Sequence, residues 1–210
     1  MKLLIAIPTL DYIHVEFMRS LIALTNRLKD DGIDFHVEIK SGTLVYVARD
    51  LLATKARQEE YTHVLWLDSD MVFTEDLVDD LLFVGKPFVT GIAHSRRPPH
   101  CSCIFRTLRP VDRYSFKDYG AEPFQIGGCG MACVLMETEI IRAIWEKYTF
   151  CFLPMEELGE DLAFCQRAID LGFEIWADPA VRIGHIGHIT IWPEDEEGWQ
   201  NKIDGIERFL

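Results

Sequence analysis

The sequence lacks an apolar stretch long enough to cross a bilayer, and positive charge is scarce in it. A spanning helix needs about 18 uninterrupted apolar residues, and no segment approaches that length. Lys and Arg total 21 against 34 Asp and Glu, which gives a net charge of −13 at pH 7. Such a charge disfavours broad electrostatic binding to DNA, RNA or an anionic membrane. We therefore expect no nucleic-acid partner and no transmembrane segment.

Disulfide-stapled and secreted classes are disfavoured as well. The six cysteines lie mainly in apolar or strand-like surroundings, and a chain of 210 residues can bury a core without disulfides. The apolar run 1–8 carries only Lys2 and reaches Asp11 without a small-residue cleavage site. It predicts a buried strand rather than a signal peptide. A reduced, cytoplasmic location is the expectation.

The first 93 residues alternate between strand and helix signals. Strands are predicted at 5–7, 35–39, 63–67 and 87–93, and helices at 12–29, 45–59 and 74–84, the last with N-cap chemistry at Thr74-Glu75-Asp76. Such alternation predicts a parallel, doubly wound α/β unit. The second half predicts polar loops at 95–100 and 107–121, strands at 124–130, 131–136, 174–177 and 181–189, and helices at 138–148 and 160–171.

Two acids follow the buried strand 63–67 directly. Asp68 and Asp70 flank Ser69 at its carboxyl end. Ligands of open α/β sheets bind beyond the carboxyl ends of strands, and two carboxylates one residue apart can jointly hold a hard divalent cation. The motif predicts Mg²⁺ or Mn²⁺ with a phosphate-bearing substrate. A solvated turn is the alternative.

Two further segments carry candidate chemistry. Glu160 and Asp161 open a predicted helix, where acids are favoured by the macrodipole. Because adjacent helical positions point in different directions, one acid can hold structure while the other faces a cleft as general base. Helix-entry chemistry alone is the alternative. His185 and His188 lie three apart in a strand-like run, so only one should reach the cleft. A neutral imidazole suits Mn²⁺ beside two carboxylates, and a structural histidine is the alternative.

The glycines at 127, 128 and 130 do not form a phosphate loop. Neither the G-x-x-x-x-G-K-[ST] pattern nor a dinucleotide fingerprint occurs in the chain. A turn or bulge is one interpretation of these glycines, and a backbone platform under a sugar is the other.

The order of these motifs resembles that of the GT-A fold glycosyltransferases, close to glycosyltransferase family 2 and its short viral and bacterial relatives. The motifs are, in chain order, Ile7-Pro8-Thr9, Arg49-Asp50, Leu67-Asp68-Ser69-Asp70, Gly127 to Gly130, Gly159-Glu160-Asp161 and Gly184-His185-Ile186-Gly187. The resemblance implies an α/β, Rossmann-like GT-A fold with a mostly parallel central sheet flanked by helices. It implies a single catalytic domain over 1–210, with a nucleotide-binding half at 1–93, an acceptor and catalytic half at 94–190 and a tail at 191–210.

The resemblance also implies roles for individual residues. Pro8 and Thr9 would contact the base or ribose, Arg49 would face the nucleotide pocket, and Gly127 and Gly128 would contribute to the donor site. Asp68 would approach the ribose and the metal, Asp70 would bind the metal directly, and His185 would complete the metal site, with His188 as its competitor. Asp161 would be the catalytic base beside Glu160.

The function so implied is Mn²⁺- or Mg²⁺-dependent transfer of a sugar from a nucleoside diphosphate sugar, with UDP favoured, to an acceptor hydroxyl. The acceptor would be a glycan, a protein-linked glycan or a small molecule, and the anomeric centre would be inverted. A nucleotidyltransferase is a competing hypothesis, but the basic, glycine-rich loop of that class is missing from 8–16. A non-catalytic nucleotide-sugar-binding module is the other.

Overall fold

The structure is a computed structural model that describes residues 1–96 and 99–187. Its strands are β1 (Lys2–Pro8), β2 (Asp34–Lys40), β3 (His63–Leu67), β4 (Met71–Phe73), β5 (Phe88–Gly91), β6 (Ile104–Leu108), β7 (Val111–Arg113), β8 (Phe124–Ile126), β9 (Gly128–Cys129), β10 (Cys133–Glu137), β11 (Ile175–Asp178) and β12 (Ile183–His185). Its helices are α1 (Val15–Asp30), α2 (Val45–Gln58), α3 (Leu77–Phe83), α4 (Thr138–Tyr148) and α5 (Glu160–Asp170).

Seven strands form the central sheet in the order β2-β1-β3-β10-β5-β11-β8. The pairs β2–β1, β1–β3 and β5–β11 are parallel, whereas β10 is antiparallel to both of its neighbours and β8 is antiparallel to β11. Five of the seven strands therefore run in one direction, and the predicted mostly parallel sheet is confirmed. The parallel arrangement brings the carboxyl ends of β1 and β3 to the same edge of the sheet.

Helices cover both faces of this sheet. One buried cluster joins apolar residues of α1 and α3 to the sheet, and the other joins those of α2, α4 and α5 to its opposite face. Strand β1 serves both clusters, because Leu4 and Ala6 face one side while Leu3, Ile5 and Ile7 face the other, all of them fully buried. Burial on both faces explains why β1 has a continuous apolar sequence.

Several local predictions differ from the structure. Helix α3 begins at Leu77 rather than Thr74, and its N-cap residue Asp76 makes no side-chain capping bond. The segment 107–121, predicted as a loop, contains the end of β6 and all of β7, which form an antiparallel hairpin. Strand β12 spans three residues, and the predicted continuation to 189 runs beyond the described residues. Short strands on small sheets carry too few residues for a clear two-residue period.

The state of the cysteines and the character of the helices bear on the predictions that disulfides and transmembrane segments are lacking. All six cysteines lie in the described part of the chain, and all are free thiols. Within residues 1–96 and 99–187, no helix has both the length and the apolar character that crossing a membrane requires.

Candidate active site

A pocket of about 360 Å³ opens at the edge where β1 and β3 end. Its volume falls in the range of about 300–1,000 Å³ that is usual for small-molecule sites. Of the residues predicted for the site, the lining contains Pro8, Thr9, Asp68, Asp70 and His185. The rest of the lining is supplied by Leu10, Asp11, Tyr12, His14, Thr43, Val45, Ser69 and Arg96.

The turn between β3 and β4 holds the two acids at the pocket wall. The Met71 amide donates to the Asp68 carbonyl at 3.2 Å, which closes the turn tightly around Ser69. The Ser69 and Thr9 hydroxyls lie 3.1 Å apart, so this turn is tied to the loop that follows β1. Backbone hydrogen bonds and this side-chain contact therefore position both carboxylates on one wall.

His185 reaches Asp70 through a small antiparallel ribbon. Strand β12 pairs with β4 in a register that places His185 opposite Met71, and the Ile186 amide donates to the Asp70 carbonyl at 2.8 Å. His185 Nδ1 lies 2.8 Å from the His94 carbonyl oxygen. Because a carbonyl oxygen only accepts, Nδ1 carries the proton, and Nε2 is the nitrogen that faces Asp70 Oδ2, at 3.3 Å. Fixing Nδ1 in this way is the usual support of a metal-binding imidazole.

Two basic side chains lie beside Asp70. Its Oδ2 atom pairs with the Arg96 guanidinium as well as facing His185. Burial alone would raise the pKa of the Asp70 carboxyl, but the hydrogen bond and charge of His185, together with the charge of Arg96, outweigh burial and lower it. The contact with Asp70 in turn raises the pKa of His185. Asp70 is thus held ionised.

Asp68 is paired with a buried arginine of α2. The Arg49 side chain is 4% exposed, and its Nη2 donates to Asp68 Oδ1 at 2.8 Å while its Nη1 donates to Glu160 Oε1 at 2.6 Å. Burial raises the pKa of the Asp68 carboxyl, the Arg49 charge opposes this rise, and the Asp70 charge adds to it. Arg49 therefore links β3 to the start of α5 from beneath the pocket, outside the pocket lining.

The two acids at the start of α5 have different surroundings. Glu160 is held by Arg49, whereas the partly buried Asp161 carboxylate lies beside Gly130, where a Cβ would come 3.5 Å from Asp161 Oδ2. Burial raises the pKa of Asp161, and the Glu160 charge raises it further against the opposing charge of Arg49. The Leu162 amide donates to Asp161 Oδ1 at 2.7 Å, and neither Glu160 nor Asp161 belongs to the pocket lining. The structure thus separates one acid held by an arginine from one acid whose pKa is raised, and perturbed pKa values of this kind are common at functional sites.

The donor atoms at the pocket wall suit a divalent metal by type. Carboxylate oxygens and an imidazole nitrogen fixed through its other nitrogen are ligands of Mn²⁺. In the described arrangement, however, arginines occupy both carboxylates, and no three His, Cys, Asp or Glu side chains of the described residues are grouped closely enough to hold a metal ion. The side chains of Asp68, Asp70 and His185 are therefore chemically suitable ligands for such an ion. Arg96 already pairs with Asp70 and would compete with the ion for this carboxylate.

Comparisons with known proteins give a likeness in structure but not in sequence. No family model matches the sequence, and a search of curated proteins finds no match. The structure is similar to A197 from STIV, with a TM-score of 0.59, 19% identity and coverage of 90% of this chain and 87% of that chain. It is also similar to the catalytic domain of Drosophila beta1,4-galactosyltransferase 7 in a complex with xylobiose, with a TM-score of 0.54, 14% identity and coverage of 93% of this chain and 78% of that chain.

The chain has the GT-A glycosyltransferase fold. The order of its motifs predicted this fold, and the seven-stranded sheet with helices on both faces confirms it. At 14% and 19% identity the likeness lies in the arrangement of the backbone. The GT-A fold does not by itself assign an activity, because folds of this kind carry their function in particular side chains.

Within the GT-A fold, the two glycines predicted for the donor site, Gly127 and Gly128, pack against other residues of the chain. Gly127 packs where β8 passes β6, and its amide donates to the Phe105 carbonyl at 2.8 Å. A Cβ at Gly128 would meet Leu108 Cδ2 at 2.9 Å and Cys165 Cβ at 3.3 Å. Neither glycine lines the pocket described above. Close packing accounts for both residues without a ligand.

Replacing Gly127 by alanine is expected to destabilise the GT-A domain by about 1–3 kcal/mol, the usual cost of overpacking. The new Cβ would overlap the Arg106 carbonyl oxygen and lie 2.8 Å from its carbon, and backbone atoms cannot move aside cheaply. Gly120→Ala is the matched control, since no described atom lies within 4 Å of a Cβ there. Urea unfolding of both variants measures the difference, and equal midpoints would contradict the packing argument.

Three of the pocket residues that the sequence did not predict for this site, Tyr12, His14 and Arg96, offer aromatic or charged groups. Tyr12 and His14 follow β1 and meet edge to face at 5.4 Å, with Tyr12 63% exposed at the pocket mouth. Their signal was an aromatic pair just after the Pro8-Thr9 strand end. Arg96 belongs to a segment predicted only as a loop, and nothing local in the sequence points it toward Asp70. His188, the predicted competitor of His185, lies outside the described residues.

Proposed function

We propose that this protein is a metal-dependent glycosyltransferase that moves a sugar from a UDP-linked or similar donor to an acceptor hydroxyl. The observation that carries the proposal is the convergence of Asp68, Asp70 and His185 on one wall of a pocket at the carboxyl edge of the sheet. Asp161 lies outside the pocket lining, at the start of α5, and its raised pKa comes first from burial, with the Asp68 charge as one further contribution.

The loop after β1 would hold the nucleotide. Pro8 and Thr9 lie at the strand end, and the exposed Tyr12 ring offers a flat surface against which a base can stack. Thr9 and Ser69 connect this loop to the acid turn, so the base and the diphosphate would be bound by one rigid unit. Such preorganisation reduces the entropy lost when the donor binds.

Asp68, Asp70 and His185 would hold Mn²⁺ or Mg²⁺ beside the diphosphate. A bound divalent ion would act there as a Lewis acid for the departing diphosphate. The pocket wall carries the carboxylates of Asp11, Asp68 and Asp70 together with the guanidinium of Arg96. A diphosphate would bring further negative charge, which a divalent cation held by the acids would offset. We therefore expect donor binding to depend on the metal.

Asp161 would take the proton of the acceptor hydroxyl. As the acceptor oxygen forms its bond to the anomeric carbon, the bond from that carbon to the diphosphate oxygen breaks on the opposite face, and the configuration inverts. A carboxylate whose pKa is raised by burial is a stronger base than an exposed one. Glu160 is held by Arg49 and would keep α5 in place during this step.

Ligand-dependent stabilisation tests the site directly. UDP with Mn²⁺ at about 100 times Kd should stabilise the protein by about 2.7 kcal/mol, which raises the melting temperature by about 5–10 °C for a domain of this size. Asp70→Asn should abolish the shift because it removes a metal-binding carboxylate. Asp112→Asn on the exposed hairpin is the control and should keep it.

Transfer assays with a panel of UDP-sugars and hydroxyl acceptors separate the competing functions. Product formation that needs both Mn²⁺ and Asp161 supports the proposal. Formation of a nucleotide sugar from a sugar phosphate and a nucleoside triphosphate would instead identify a nucleotidyltransferase. Metal-dependent binding without transfer or hydrolysis over long incubation would identify a binding module. No shift with any nucleotide would refute the donor site.

A further inference from the structure

Each carboxylate of the Asp68-Ser69-Asp70 turn is neutralised by an arginine, but the two arginines differ in their surroundings. Arg49 is 4% exposed and spans two carboxylates, whereas the Arg96 side chain is 47% exposed and pairs with Asp70. The Arg96 guanidinium lies at the solvent boundary, where water can stabilise it after it leaves the ion pair, whereas the Asp70 side chain is 14% exposed and needs another cation in its place. A buried arginine has no such alternative. Of the two arginines, Arg96 is therefore the one that a bound metal ion can replace.

The position of Arg96 places it between the acid turn and the end of β12. The His94 carbonyl in the same segment accepts from His185 Nδ1, and a Cβ at Gly187 would come 3.7 Å from the Arg96 carbonyl oxygen and 3.8 Å from its Cβ. The Arg96 guanidinium thus pairs with Asp70 Oδ2, which is the same atom that faces His185 Nε2. One carboxylate oxygen serves both groups, so an ion bound there would face the Arg96 charge at close range.

We infer that Arg96 is an internal counter-ion which competes with the divalent metal for Asp70 and then binds the diphosphate of the donor. The inference rests on the proposed function. A guanidinium has only N–H donors and cannot ligate a metal, so an ion that binds Asp70 Oδ2 beside His185 Nε2 must displace it from that oxygen. It is already part of the pocket wall, and its planar fork matches phosphate oxygens in a bidentate way.

This exchange explains why the metal donors are chemically suitable while no three-ligand group is formed among the described residues. With the pocket empty, Arg96 balances the charge of Asp70. With metal and donor bound, the metal balances the carboxylates and Arg96 balances the added diphosphate. The net charge of the pocket side chains together with their bound ligands then stays nearly constant on binding.

Arg96→Gln tests this exchange with metal alone, without an activity assay. Isothermal titration with Mn²⁺ and no nucleotide should show binding about threefold to fivefold tighter than wild type, the range that loss of an exposed competing ion pair allows. At saturating Mn²⁺, UDP should bind about tenfold more weakly, because a charge-assisted bond to phosphate is lost. The opposite signs of the two changes identify the exchange.

Two further variants serve as controls. Arg96→Lys keeps the positive charge and should keep the weak, wild-type affinity for Mn²⁺. Arg106→Gln removes an arginine of similar exposure, 43%, that pairs with Asp112 and Asp118 on the hairpin, and it should change neither affinity. A merely structural role for Arg96 would weaken both ligands together.

The outcomes separate this inference from the proposed function. If wild type binds Mn²⁺ and Arg96→Gln binds it no more tightly, the inference is overturned while the proposed function stands. If Arg96→Gln gains Mn²⁺ affinity but no sugar transfer is found with wild type, the competition stands and the proposed function fails. If neither protein binds Mn²⁺ with or without UDP, both are overturned.

Discussion

Asp161→Asn is expected to lower the rate of sugar transfer by about 10²- to 10⁴-fold, the usual contribution of a general base. The amide has nearly the same shape as the carboxylate but cannot take the acceptor proton. The half-buried site, with a pKa raised by burial and by the Glu160 charge, suits this acid to proton transfer more than to capping. Donor binding should be unchanged, since the substitution leaves the pocket lining intact.

The transfer rate is measured at steady state with a UDP-sugar. Donor binding is measured by the thermal shift with UDP and Mn²⁺. Asp170→Asn at the other end of α5 is the control, because Asp170 accepts a hydrogen bond from Gln166 Nε2 at 2.9 Å on the exposed face of the helix. That variant should transfer sugar at the wild-type rate. Full activity in Asp161→Asn would require a different base.

Arg49→Met is expected to destabilise the protein by about 3 kcal/mol, at the low end of the range for breaking a buried ion pair. The loss leaves the Asp68 and Glu160 carboxylates unpaired beside Asp161, and their partial exposure of 30% and 21% limits the cost. It should also abolish transfer, because Arg49 connects β3 to the start of α5, where Asp161 lies. Urea unfolding measures the first effect, and the UDP-sugar assay the second.

Arg49→Lys sharpens this test. A lysine keeps the charge but has no fork to reach two carboxylates at once, so we expect stability between that of wild type and Arg49→Met. Arg106→Met on the exposed hairpin should change the free energy of unfolding by no more than about 1 kcal/mol, as surface pairs do. If Arg49→Met unfolds at the wild-type urea concentration, Arg49 does not hold the two acids in place.

The sequence predicted the parallel part of the sheet because strands β1 and β3 are apolar and buried on both faces. Strands β1 and β3 and the helices between them have clear periods, and Asp68 and Asp70 stand out because they directly follow β3. Strand β4 was missed, since its three residues give no period, and with it the ribbon that brings His185 to Asp70. Arg96 was missed for a different reason, because its partner Asp70 is 26 positions away in the chain.

The scarcity of positive charge disfavours, from the sequence alone, broad binding to polyanions. The alternation of elements predicted a mostly parallel sheet, and the order of the motifs predicted the fold. Only the tertiary structure decides how the few cations are used: Arg49 is buried between Asp68 and Glu160, and Arg96 lies on Asp70. The reason is physical, since local patterns govern strands and helices, whereas ion pairs between distant residues depend on where the fold places each side chain.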